Sequence, residues 1–181
     1  MEEAIYQEPA YAKNVLEFLR VAHEYCVFAE RTETMERAGI YELFTKLGAL
    51  LYLKGALLPE VTVDNPEANE RFVTEEEWEA VFNLFRGRLA EEDEFWHIDL
   101  ENGRPDETVK ASLSENFADI YQDLKDFLLL YQKTSRDAKQ NAVFECRKLF
   151  ISRWGTKILV SIRYIHYLQF RDKFTEETEL P

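Results

Sequence analysis

The sequence predicts an all-α fold, a single-domain bundle of about six helices with an irregular crossover near residues 91–111. Three observations carry that prediction. Apolar residues recur at helical spacing over long stretches, as they do where helices bury one face. Six glycines and five prolines among 181 residues leave too few turns for an all-β fold, which needs one about every 8–12 residues. The stretch Ser112–Gln132 reads as one complete helix. Ser112 can accept from the third helical N–H, with Glu115 placed to reach back, and a stripe from Phe117 through Ile120, Tyr121, Leu124, Phe127 and Leu128 to Tyr131 follows. A chain of this length suits one domain that buries roughly 70% of its unfolded surface. The domain is expected to span residues 1–174, with 175–181 a disordered acidic tail.

Taken in order, an acidic arm ends at Pro9, and a first helix covers about Ala12–Arg31 with Val15, Phe18, Leu19, Ala22, Tyr25, Cys26 and Ala29 inward. Thr32 or Thr34 is placed to cap a second helix, which must end before Pro59 because proline disfavours helical geometry in its predecessor. Ile40, Leu43, Phe44 and Leu47 form its early face. Its second half, LGALLYLKGALL, is apolar almost all round and is expected to be the most buried helix, with the Ser112–Gln132 stripe packed on it. A polar loop over 59–72 leads to a capping box at Thr74 and Glu77, which opens a third helix with Trp78, Val81, Phe82, Phe85 and Leu89 on one face. Over 91–111 the periodicity fades, with a turn at Asn102–Gly103 and Pro105 and a short extended piece at Glu94–Leu100. After Gln132, Thr134 or Ser135 caps a helix carrying Ala138, Ala142, Cys146, Leu149 and Phe150. Trp154–Gly155 marks a break or a bend, and Ile158, Leu159, Ile162, Ile165 and Leu168 form the last stripe.

Composition excludes several function classes. A net charge of −13 repels nucleic acid and anionic membranes at long range, so neither is an expected partner. The longest apolar run, Leu47–Leu58, holds Lys54 and is far short of the ~20 residues of a membrane span. MEEAIYQEPAYAK has no basic segment followed by an apolar run, so no secretory signal is expected and the location is read as cytoplasmic. Cys26 and Cys146 both fall on apolar faces and are read as buried free thiols.

The net charge hides a partition. Residues 133–173 hold ten Lys or Arg against three Asp or Glu, a local +7, whereas residues 1–132 carry −17. A basic pair of C-terminal helices therefore follows directly on a helix whose edge carries Glu115, Asp119, Asp123 and Asp126. Arg147, Arg153, Lys157 or Arg163 is expected to pair with Asp119, Asp123 or Asp126 across the interface; the sharper alternative is an anion pocket or a surface for an acidic partner. Lys54, with Leu50, Leu51, Leu57 and Leu58 a turn either side, needs a carboxylate or a route to solvent, because a buried ammonium is costly unpaired. Asp119 or Asp123 is its expected partner, then Glu24.

Motifs for chemistry are weak. Carboxylates one turn apart can share a divalent cation, and Glu91–Glu94 and Asp123–Asp126 have that spacing. Glu33–Glu36 and Glu76–Glu79 match as well, which is what an acidic chain produces by chance. Only Glu94–His97 has the E-x-x-H form of a di-iron site, and it lies where periodicity has failed. His23, His97 and His166 are too dispersed for a zinc motif, and no phosphate loop or nucleophile elbow is present.

The segments EYCVFAE (24–30), LLYLKGALLPEV (50–61), VTEEEWEAV (73–81), ADIYQDLKDF (118–127) and FECRKLFISRWGTKIL (144–159) resemble an uncharacterised bacterial family catalogued only as a domain of unknown function. The resemblance covers about residues 12–170 and implies an all-α fold without bringing an activity. It implies that Lys54, Asp119, Tyr121, Asp123 and Trp154 belong to the family's pattern. The functional expectation is a non-enzymatic interaction or ligand-binding protein using the acidic-helix/basic-helix junction, with Lys54, Asp119, Tyr121, Asp123, Arg153, Trp154 and Lys157 as the candidate binding residues. Its partner would be a protein or a small anionic ligand; a homodimer is left open, and no cofactor is expected. The alternative is a divalent-metal-dependent hydrolase of a phosphorylated small molecule, with Asp119, Asp123 and Asp126 on the cation and Lys54 or Arg153 on the phosphate.

Overall fold

The computed structural model describes residues 8–98 and 107–178, with side chains to residue 171. The fold is predominantly α-helical with one small sheet. Its elements are α1 (Lys13–Glu30), α2 (Arg37–Ala56), α3 (Glu75–Leu89), β1 (Glu94–Ile98), β2 (Thr108–Ser112), α4 (Leu113–Gln132), α5 (Arg136–Leu149) and α6 (Gly155–Thr178). Among the described residues no helix is long and apolar enough to cross a membrane.

The threonines after α1 do not cap α2. Thr32 Oγ1 donates to the Phe28 carbonyl at 3.0 Å and Thr34 Oγ1 to that of Arg31 at 3.1 Å, so both serve the open carbonyl end of α1. Glu36 occupies the N-cap of α2 without a side-chain hydrogen bond. The expectation for α2 as the most buried helix is also corrected. Ile40, Phe44, Leu51 and Gly55 face the core, but Leu43, Leu50, Leu53 and Leu57 form an outer stripe, with Leu53 55% exposed. A helix apolar all round is buried only if neighbours cover every side, and here α1 and α6 cover only part of its circumference.

The central element is α4, fourteen of whose twenty residues are buried. It packs chiefly on α1, α3 and α5, and meets α2 through Phe117 and Phe44, whose rings lie 4.1 Å apart. The capping box of α3 forms in full: Thr74 Oγ1 accepts from the Glu77 N–H and Glu77 Oε2 from the Thr74 N–H.

The region read as an irregular crossover is a β-hairpin. β1 pairs antiparallel with β2, from Glu94 opposite Ser112 to Ile98 opposite Thr108. The extended piece expected at Glu94–Leu100 is β1; the expected turn at Asn102–Gly103 and Pro105 lies outside the described residues. Asp93, 2% exposed, ties the hairpin to α4. Its carboxylate accepts from the Ser114 N–H at 2.7 Å and from the hydroxyls of Ser112 and Ser114. Negative charge there meets the positive end of the helix dipole, and Ser112 Oγ accepts from the Glu115 N–H at 3.1 Å.

At Trp154–Gly155 the chain neither breaks nor stops. α5 continues into α6 through a π turn, Phe150–Trp154. Its rings fill a slot that only glycine permits: a Cβ on Gly55 would collide with the Trp154 indole, and one on Gly155 with the Phe150 carbonyl. The helix runs to Thr178, past the expected tail boundary at Thr175; residues 179–181 lie outside the described residues.

Candidate functional site

The acidic edge of α4 meets the basic residues of the π turn and α6. Arg153 reaches Asp119 at 2.9 Å and Asp123 at 3.2 Å, and Lys157 reaches Asp119 at 3.0 Å and the Asn116 amide oxygen at 3.2 Å. Trp78 Nε1 also donates to Asp119, at 2.9 Å. Asp126 accepts from the Phe72 and Val73 N–H groups at 2.7 and 2.9 Å, and its second oxygen lies 3.2 Å from Arg71, so it pins the loop before α3.

Asp123 is 1% exposed. One of its oxygens faces Arg153 and Arg71, and the other has no hydrogen-bond partner among the described residues. Burial raises its pKa to about 6; Arg153 and Arg71 pull it back, and neighbouring Asp119 adds to the rise. The carboxylates proposed for a cation are thus held by guanidiniums, an ammonium, an indole and backbone N–H groups. Among the described residues no group of three or more His, Cys, Asp or Glu could hold a metal ion.

The other predicted residues lie elsewhere. Lys54 pairs with Glu17 of α1 at 2.6 Å, not with Asp119, Asp123 or Glu24. It snorkels along the α1–α2 seam, half-buried. Tyr121 Oη donates to Glu30 at 3.0 Å. Trp154 is a core residue, fully buried, stacked on Phe18, and donating from Nε1 to the Cys146 carbonyl at 3.1 Å. Arg147 pairs with Glu60 at 3.0 Å. Of the seven candidate residues, then, Asp119, Asp123, Arg153 and Lys157 come together, while Lys54, Tyr121 and Trp154 do not join them.

Sequence reasoning missed a second feature beside this junction. The hairpin stands off α6 and leaves a groove of about 690 Å³ between β1 and the outer face of that helix. Phe95 forms the floor, stacked on Tyr164 at 4.3 Å and 14°. Trp96, Ile98, Leu159 and Tyr167 line it with large apolar side chains left in solvent, Trp96 being 66% and Tyr167 54% exposed. Arg163 also lines it, with no acidic partner among the described residues. A smaller polar pocket of about 300 Å³ adjoins it through His97 and Val160 and contains Lys110, Arg153 and Lys157. One signal was available: EFWHI is a run of aromatic and branched residues too short for a helix. Leu159 misled, because it sits between two core positions of the α6 stripe yet faces outward.

A family model described as "Domain of unknown function (DUF5063)" matches residues 9–171. The crystal structure of protein BF1032 from Bacteroides fragilis, a structural-genomics target, is similar at 35% sequence identity and a TM-score of 0.78, over 89% of this chain and 95% of that one. The search of curated proteins found no match.

Proposed function

The chain belongs to the DUF5063 family, and on its geometry we propose that it is a non-enzymatic interaction protein that docks an acidic protein partner in the β1–α6 groove. The observation that carries this reading is the exposed set Trp96, Ile98, Leu159 and Tyr167 around Arg163, which has no acidic partner among the described residues. Aromatic residues and arginine dominate binding energy at protein interfaces, and a soluble protein seldom leaves such a patch in water without a use for it. The junction of Asp119 and Asp123 with Arg153 and Lys157 then acts as scaffold: it fixes the start of α6, on which one wall of the groove stands. Two buried free thiols, with Cys26 pushed up to about 12 by burial, support a cytoplasmic location. The hydrolase alternative has less support, because Asp119, Asp123 and Asp126 are already engaged by internal partners.

The test places a photo-crosslinking amino acid at residue 96 and, separately, at Leu50 on the outer face of α2, in cells that make the protein. The expected result is an adduct of discrete mass from residue 96, none from residue 50, and loss of the adduct when Tyr167 is also changed to alanine. No adduct at residue 96, together with a Mg²⁺- or Mn²⁺-dependent rise in melting temperature that Asp123→Asn abolishes, would overturn the reading in favour of the hydrolase.

A further inference from the structure

We infer, building on the groove as a docking surface, that its partner presents an extended acidic segment that adds to β1 as a third strand. The lining pattern carries this. Side chains of a strand alternate between its two faces, so a groove lying on one face would touch every second residue. Here Phe95, Trp96, His97 and Ile98 all line it, so the groove follows β1 along its length, and it reaches β2 at Thr108, opposite Ile98. One edge of β1 is open: the sheet has two strands, β2 occupies one side of β1, and no described strand occupies the other. Two strands alone are marginal, and a third would complete the unpaired backbone groups.

The opposite wall is α6, where Leu159, Arg163 and Tyr167 recur every four residues and so form one helical row on this wall. A peptide seated between the two walls makes main-chain hydrogen bonds to β1 and sends alternate side chains against this row. Apolar side chains meet Leu159 and Tyr167, and a carboxylate meets Arg163. Charge selects the same ligand. Within a molecule of net charge −13, the α6 wall belongs to the +7 segment and carries Arg163, which has no acidic partner among the described residues. Lys110, Arg153 and Lys157 in the adjoining pocket, by contrast, already pair with Glu94, Asp119 and Asp123.

The experiment selects phage-displayed dodecapeptides on the full chain, with the Trp96→Glu variant as a parallel target whose melting confirms that it folds. Enriched peptides are remade with N-methyl groups at alternate residues. The expected result is acidic and apolar residues in alternation, enriched on wild type alone. Binding should weaken about tenfold on N-methylation at one set of alternate residues and little at the other, because only one set faces β1. Arg163→Glu should weaken it by a similar factor, and added salt should reduce that difference. Peptides with apolar residues at helical spacing, indifferent to N-methylation, would overturn strand addition and leave the groove as a docking site. Equal enrichment on both targets, or none on either, would overturn both.

Discussion

Asp123 is a carboxylate withdrawn from water between two guanidiniums, Arg71 from the loop before α3 and Arg153 from the π turn, with Asp119 and Asp126 on its own helix and Cys146 opposite on α5. Its raised pKa means that the native protein binds this proton more readily than the unfolded chain. The contribution to stability is therefore fully present below the ordinary carboxyl range near 4 and is lost as pH rises through about 6. Urea unfolding at about pH 7 and about pH 4.5 should show wild type gaining roughly 2 kcal/mol on Asp123→Asn as the pH falls. A difference that stays flat would mean that Asp123 titrates as an ordinary aspartate. The pairing of Asp119 and Asp123 with Arg153 and Lys157 was legible, because a basic segment directly follows an acidic helical edge. The partner of Lys54 was not. Spacing places Lys54 on a face of α2 but does not say which helix stands opposite, and that helix is α1 with Glu17. Asp93 was illegible for a different reason: it sits in the run EEDE, and only the fold singles out one of four carboxylates for the end of α4.

At the scale of elements, α4 takes the most buried place that was expected of α2. Both are long and apolar, but only α4 has neighbours on nearly every side, and the order of packing is not written in either helix alone. The two faces of α2 predict opposite responses to substitution. Gly55→Ala forces a methyl group into the Trp154 indole and should cost about 1–3 kcal/mol, read as a lower melting temperature. Leu53→Lys, on the outer stripe, should stay within about 0.5 kcal/mol of wild type despite replacing a leucine in the most apolar stretch of the chain. Equal damage from both would mean that the outer stripe is covered. The hairpin was half legible. EFWHI has strand character, whereas TVKAS is short and half polar, and its pairing with β1 depends on Asp93 and Ser112 holding both strand ends against α4.

For the whole molecule, the helical class, the approximate boundaries and the charge partition could all be read from the chain, because they are properties of local spacing and sums. The groove could not, since it exists only where a hairpin and a distant helix stand side by side. That arrangement depends on the five residues Phe150–Trp154. A π turn carries one residue more than the α-helical path, so it works as a phase adjuster between α5 and α6, setting the angle at which everything downstream points. Deleting exposed Ser152 should let the two helices fuse into a regular rod and swing α6 by about 100° about its axis. Ile158 and Ile165 would rotate out of the core while Leu159 and Tyr167 left the groove wall. A broadened, early melt in that variant, with loss of the crosslink from residue 96, would show that a single inserted residue aims the last helix of this protein.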